Sequence, residues 1–276
     1  MSPPPAAGEA ELQEDIMNQA KNKNGNSPIA LITGGSRGLG RSMAQHLAAR
    51  GVGVILTYRE RADEAARVVQ AIQESGGTAV ALPLDLGDVA QYGSFAQSVE
   101  RVLGERFQRS RFDYLVNNAG MAGNAPLIEV TEEQFDTMMT VHLKSTLFLT
   151  QKLVPLLVDG ARILNVSSGL TRFTMPTFGV YAAMKGAVEV LTRYFAAELA
   201  PRQITVNTLA PGAIETDFGG GFVRDNREVN RHIAQTIALG RVGQPDDIGR
   251  AVSLLLSPDS GWITGQRIEA SGGQVL

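Results

Sequence analysis

Tyr181 and Lys185 stand four residues apart in YAAMK, and Ser168 stands thirteen residues before that tyrosine in NVSSG. At this spacing a tyrosine and a lysine share one face of a helix. An ammonium beside a phenol favours the phenolate and lowers its pKa. A hydroxyl brought alongside from a strand end completes a group able to move a proton to or from an alcohol oxygen. Free tyrosine titrates near ~10, so a downward shift of ~2 to 3 units, worth ~3 to 4 kcal/mol, brings it to working pH. The pair alone arises by chance on ordinary helices. It gains meaning from a second pattern, TGGSRGLG at Thr33 to Gly40.

These residues need a frame, and the chain from Pro28 onward supplies one. Short apolar runs occur at 29–33, 52–58, 78–84, 112–117, 161–167, 204–210 and 266–271. Stretches of helical period separate them, such as RSMAQHLAAR and DEAARVVQAIQESGG. Alternating strands and amphipathic helices predict right-handed crossovers and a parallel sheet covered on both faces. Seven strands without a linker-like break predict a single doubly wound α/β domain over 28–276.

The first unit, IALITGGSRGLGRSMAQHLAARG, reads strand, glycine turn, helix. Gly34, Gly38 and Gly40 give a G-x-x-x-G-x-G spacing, a cousin of the dinucleotide fingerprint. The turn must be tight, its backbone must approach a pyrophosphate, and the helix must pack hard on the strand. Free N–H groups at the helix start then face phosphate. A glycine turn without ligand is the alternative, and the flanking strand and helix argue against it.

The end of the second strand selects the nicotinamide cofactor. An NAD site places a carboxylate there for the ribose 2′-hydroxyl. This chain has Tyr58 followed by Arg59, so nothing at that point repels a 2′-phosphate. Arg59, with Arg37 in the glycine turn, can grip one. NADP(H) is therefore expected over NAD(H), although Glu60 complicates the local charge.

Composition excludes several classes. The 276 residues include 43% hydrophobic and 19% charged residues, a globular profile, and the net charge of −3 offers no attraction to nucleic acid. No apolar run is long enough to span a bilayer. Cysteine is absent, which removes disulfides and thiolate chemistry and suits a cytoplasmic protein. His46, His142 and His232 lie far apart, so no metal site is expected. Residues 1–27, rich in Pro, Ala and polar residues, read as a disordered extension.

From Ser27 to Leu276 these motifs, in this order, resemble the short-chain dehydrogenase/reductase family, whose fold is a Rossmann domain. The resemblance implies that Gly34, Ser36, Arg37, Gly38 and Leu39 form the cofactor turn. Asp85 resembles the acid that binds the adenine amino group, with Leu86 beside it. NNAG, with Asn118, Ala119 and Gly120, is similar to the motif that steadies the sheet and lines the cofactor. Pro211, Gly212, Ile214 and Thr216 in LAPGAIETDF are similar to the segment folded round the carboxamide. Ser168, Tyr181 and Lys185 match the catalytic set, with Lys185 also holding the nicotinamide ribose. The ending ITGQRIEASGG is similar to a strand that packs in a homotetramer, a homodimer being the smaller option.

One position departs from the resemblance. The family places an asparagine after the fourth strand to hold a relay water, and this chain has His142 in TVHLK. An imidazole can serve water too, or it can fill space as a buried structural group.

Phe173, Met175, Phe178, Phe218 and Phe222 give the expected substrate region an apolar character. Gly219 to Gly221 could hinge a lid near 213–240. Arg172 and Arg224 are candidates for reading an anionic tail. The expected activity is reduction of a ketone, or oxidation of the alcohol, on a small apolar molecule. The alternatives are 3-oxoacyl thioester, sugar or steroid dehydrogenases, and a non-catalytic nucleotide-binding regulator.

Overall fold

The computed structural model describes residues 27–276. The expected extension thus lies outside the described residues apart from Ser27. Seven strands form one parallel sheet: β1 (Ile29–Ile32), β2 (Gly53–Tyr58), β3 (Ala79–Pro83), β4 (Phe112–Asn117), β5 (Leu157–Val166), β6 (Thr205–Pro211) and β7 (Arg267–Ala270). Their order is β3-β2-β1-β4-β5-β6-β7. The chain reverses direction across the sheet between β1 and β4, and a crevice opens at the carboxyl ends of such a pair.

Period two along β1 divides the molecule into two cores. Ile29 and Leu31 face Tyr92, Val99 and Leu103 of α3 (Tyr92–Phe107) together with Leu149 and Leu153 of α5 (Ser145–Leu153). Ala30 and Ile32 face Met43 and Leu47 of α1 (Gly38–Ala48) and Val68 and Ile72 of α2 (Ala62–Glu74). Helix α4 (Glu132–Met138) opens with a Thr131–Gln134 capping box. The long helix α6 (Gly179–Leu199) carries YAAMK. Short helices α7 (Phe222–Asp225) and α8 (Arg227–Ala234) precede α9 (Pro245–Leu255), whose Ile248 and Val252 complete the second core.

Two elements differ from the sequence pattern. Strand β5 begins at Leu157 instead of 161, because Asp159-Gly160 looks like a turn yet is carried within the strand, with Gly160 at φ +78°. Between α4 and α5 the chain makes a π-helical turn, Met139–Lys144, that places His142 in the interior. Asn117 on β4 donates to Thr150 and to Asn165, and Asn165 donates to Thr192 of α6, a buried polar chain that fixes the sheet to its helices. Among the described residues, no helix is long and apolar enough to cross a membrane.

Candidate active site

The glycine turn is clamped by the NNAG segment. Thr33 at the end of β1 accepts, at Oγ1, the N–H groups of Asn118 and Ala119, each at 3.0 Å. Asn118 Nδ2 donates to the carbonyls of Thr33 (2.8 Å) and Gly34 (3.2 Å). Gly34 has φ +67°, where a side chain is strained. A Cβ on Gly40 would lie 2.2 Å from the Gly34 oxygen, so α1 sits directly on the turn. Arg37 precedes α1 without a side-chain cap bond, and Ser36 is buried beside it. This cradle fits a pyrophosphate at a helix start.

The remaining predicted contacts surround that cradle. Tyr58 ends β2 half-buried, and exposed Arg59 pairs with Glu60 at 2.9 Å. Asp85 Oδ1 accepts the Gly87 N–H at 2.8 Å, while the Leu86 side chain turns into the core. Gly212 is held by Ala270, Ala213 by Gln274, and Ile214 pairs with Gly243. Thr216 lies across from Gly38, 3.6 Å from where its Cβ would be. A cavity of about 410 Å³ opens here, bounded by Gly38, Arg41, Thr216 and Asp246.

Ser168, Tyr181 and Lys185 come together at the end of β5. Ser168 opens the turn Gly169–Thr171, with its Oγ accepting the Leu170 N–H at 3.2 Å. Tyr181 and Lys185 are both buried on α6, 7% and 5% exposed. Burial pushes the Tyr181 phenol up to about 12, and a hydrogen bond with Ser168 opposes the rise. Burial draws Lys185 down to about 8. Lys185 Nζ donates to the Val166 carbonyl at 2.7 Å and lies 5.8 Å from the Tyr181 ring centre. The expected downward shift of the tyrosine, which calls on the oxidised nicotinamide as well as the ammonium, is not produced by the protein alone. Desolvation dominates at the phenol, with the Ser168 hydrogen bond opposing it, and the Lys185 ammonium donates to a backbone oxygen.

His142 meets Tyr181 edge-on, ring centres 5.3 Å apart. Its Nε2 lies 3.0 Å from the Met121 oxygen and is assigned as the donor, leaving Nδ1 buried without a hydrogen-bond partner among the described residues. Burial, then the charge of Lys185, lowers its pKa to about 3, so the ring is neutral at working pH.

A family model described as enoyl-(acyl carrier protein) reductase matches residues 34–274. An uncharacterized oxidoreductase of Methylorubrum extorquens is 38% identical over 247 residues, 89% of this chain and 96% of the relative. The chain belongs to the short-chain dehydrogenase/reductase family. It is similar as well to a hydroxynaphthalene reductase-like protein of Metarhizium brunneum, 35% identical over 90% of this chain and 94% of that one. Among solved structures it resembles the angucycline C-6 ketoreductase LanV with bound NADP, with a TM-score of 0.86 and 39% identity over 91% of this chain and 96% of that one. This short-chain dehydrogenase/reductase is accordingly an oxidoreductase of C=O and CH–OH groups.

Two expected substrate readers are otherwise engaged. Arg172 donates to Glu269 through Nε and Nη2 and also to the carbonyls of Gln274 and Val275. Arg224 pairs with Asp217 and Asp225. Both guanidinium groups are already paired with carboxylates, Glu269 brought to Arg172 by the fold and Asp225 adjacent to Arg224 in sequence. Of the apolar candidates, Met175, Phe218 and Phe222 are exposed, and Phe218 packs 5.9 Å from the Tyr181 ring. Phe178 is half-buried against the Tyr181–Met184 cluster, and Phe173 lies under the Arg172 guanidinium.

Sequence reasoning missed Met121, Leu127 and Ile128, exposed on the loop after NNAG, with Leu127 over Gly179 at the start of α6. An apolar Leu-Ile pair in a loop was the available signal. It also missed Thr33, whose hydroxyl joins the glycine turn to NNAG.

Proposed function

We propose that this enzyme is an NADPH-dependent reductase of fused-ring aromatic ketones, with Ser168 and Tyr181 receiving the carbonyl oxygen. The observation that carries it is a protonated, buried phenol beside Ser168, with the exposed Phe218 ring 5.9 Å from the Tyr181 ring and exposed Leu127 over the start of the same helix. As a ketone is reduced its oxygen gains negative charge, and donors placed where that charge appears lower the barrier. Ser168 supplies one hydrogen bond and Tyr181 the proton. The cofactor, when bound, supplies the hydride to the carbonyl carbon. Gly34, Ser36, Gly38, Leu39 and Arg37 would hold its phosphates, Arg59 its 2′-phosphate, and Asp85 and Leu86 its adenine. Asn118, Ala119, Gly120, Pro211, Gly212, Ile214, Thr216 and Lys185 would line its nicotinamide half. The two relatives of named chemistry, a hydroxynaphthalene reductase-like protein and an angucycline ketoreductase with NADP, support both the ring-system substrate and the cofactor.

The segment 213–240 acts in this reading as a lid, hinged where Gly219, Gly220 and Gly221 all have positive φ. We also place the enzyme in the cytoplasm as a homotetramer or homodimer, in keeping with exposed Phe148, Val190, Tyr194 and Trp262. The test is NADPH consumption on fused-ring ketones, 3-oxoacyl thioesters and enoyl thioesters, for the native enzyme and Tyr181→Phe. Turnover of the ring ketones, abolished in Tyr181→Phe with NADPH binding retained, is expected. Full turnover in Tyr181→Phe refutes the assignment, and activity confined to enoyl thioesters refutes the substrate class.

A further inference from the structure

Glu189 lies on α6 one turn beyond Lys185 and two beyond Tyr181. A single oxygen, Oε1, accepts from Ser167 Oγ at 2.7 Å, Thr171 Oγ1 at 2.8 Å and Arg267 Nε at 2.9 Å. Ser167 immediately precedes Ser168, and Thr171 closes the turn that Ser168 opens. Arg267, on β7, also reaches the Ser168 carbonyl at 3.3 Å through Nη2 and is itself held by Glu269 at 2.8 Å. The Ser168 turn is thus bracketed on both sides by bonds that end on the helix carrying Tyr181 and Lys185. The Glu189 and Arg267 side chains are only 14% and 24% exposed, so solvent screens their attraction little.

We infer that Glu189 is a positioning residue, setting the separation of Ser168 from Tyr181 by tying the serine turn to the helix. The inference rests on the reading of Ser168 and Tyr181 as the oxygen-binding pair. A serine turn anchored only through β5 can drift from the phenol, and misplacement by about 1 Å costs on the order of 100-fold in rate. No contact from Glu189 to the glycine turn exists among the described residues, so cofactor affinity should not respond.

The test compares Glu189→Ala, Glu189→Gln and the double variant Ser167→Ala/Thr171→Val. The double variant removes the two hydroxyl tethers, from Ser167 and Thr171, and leaves the weaker link through Arg267 to the Ser168 carbonyl in place. Each is assayed for kcat, KM for ketone, NADPH dissociation constant and melting temperature, with Tyr181→Phe alongside. Glu189→Ala and the double variant should lose roughly 10- to 100-fold in kcat with NADPH affinity unchanged. Glu189→Gln retains an acceptor oxygen and should recover most of the loss. A residue with only a structural role would lower the melting temperature and leave kcat per NADPH-binding site untouched. Wild-type kcat in the double variant and in Glu189→Gln and Glu189→Ala overturns the inference. If Tyr181→Phe loses turnover in that case, only the positioning idea fails. If Tyr181→Phe stays active, the underlying assignment fails.

Discussion

Replacing Lys185 with methionine should raise stability at neutral pH while abolishing turnover. Burial lowers the Lys185 pKa from 10.5 to about 8. One pKa unit corresponds to about 1.4 kcal/mol, so holding the ammonium in its folded site at pH 7 costs on the order of 3 kcal/mol. Methionine has similar length and no charge, so that term disappears. The variant also loses the 2.7 Å bond from Nζ to the Val166 carbonyl, a loss of about 1 to 2 kcal/mol. The net expectation is a gain of about 1 to 2 kcal/mol for Lys185→Met at pH 7.

The sign changes with pH. The folded pKa lies below the unfolded one, so between about 8 and 10.5 the unfolded chain keeps a proton that the folded chain has released. Stability of the native enzyme therefore rises across that window relative to the variant, and the variant falls behind by pH 10. Tyr181, raised to about 12, acts oppositely above pH 10 in both proteins and cancels in the comparison. Urea unfolding of both proteins without cofactor, at steps from pH 7 to 10, measures this gap. A gap constant in sign and size across the range refutes the account of Lys185 as a buried, strained ammonium. Retained turnover in the variant would refute its part in the reaction.

Three further outcomes are expected. His142→Asn should keep kcat within about threefold, a hydrogen-bonding group being retained. It should also improve resistance to acid, because native His142, at about 3 when folded, forfeits stability as pH falls from 6.5 toward 3. A collapse of kcat with an intact fold would give the imidazole its own catalytic part. Gly40→Ala should weaken NADPH binding and lower stability by about 1 to 3 kcal/mol, since its Cβ would meet the Gly34 oxygen at 2.2 Å; unchanged affinity in a fluorescence titration contradicts the cradle. Arg59→Ala should raise KM for NADPH by about tenfold, one charged hydrogen bond being worth roughly 1.5 kcal/mol, and leave KM for NADH alone. Its melting temperature should not move, because the exposed pair with Glu60 is worth at most about 1 kcal/mol. Equal effects on both cofactors count against a 2′-phosphate contact.

The residues readable from sequence are those whose role is local. Gly34 and Gly40 declare themselves because a turn and a helix contact within seven residues admit little else. The strands were legible through their apolar runs, save where Asp159-Gly160 imitates a turn inside β5. What depends on distant chain was not legible. Arg172 looked free because Glu269, 97 residues away, approaches it only in the fold, whereas Asp225 beside Arg224 was a partner visible in the sequence. Glu189 looked like one more charge on a helix, since its partners Ser167, Thr171 and Arg267 are 22, 18 and 78 residues away in sequence.

The same limit governs the chemistry of Tyr181. Its spacing from Lys185 suggested a phenol of lowered pKa, but spacing carries no information about desolvation. In the fold, burial dominates and the ammonium faces the Val166 carbonyl, so the phenol stays protonated at working pH. A protonated phenol beside a serine hydroxyl is ready to give a proton and poorly prepared to take one. The cofactor-free protein thus holds Tyr181 in the protonated form that reduction starts from. Oxidation of the alcohol requires a pKa that only added positive charge near the ring can supply. Reduction should therefore persist well below pH 8, and oxidation should climb steeply with pH. Measuring both directions across pH 6 to 10 decides this, and an oxidative rate flat in pH would show that Tyr181 is ionised without help.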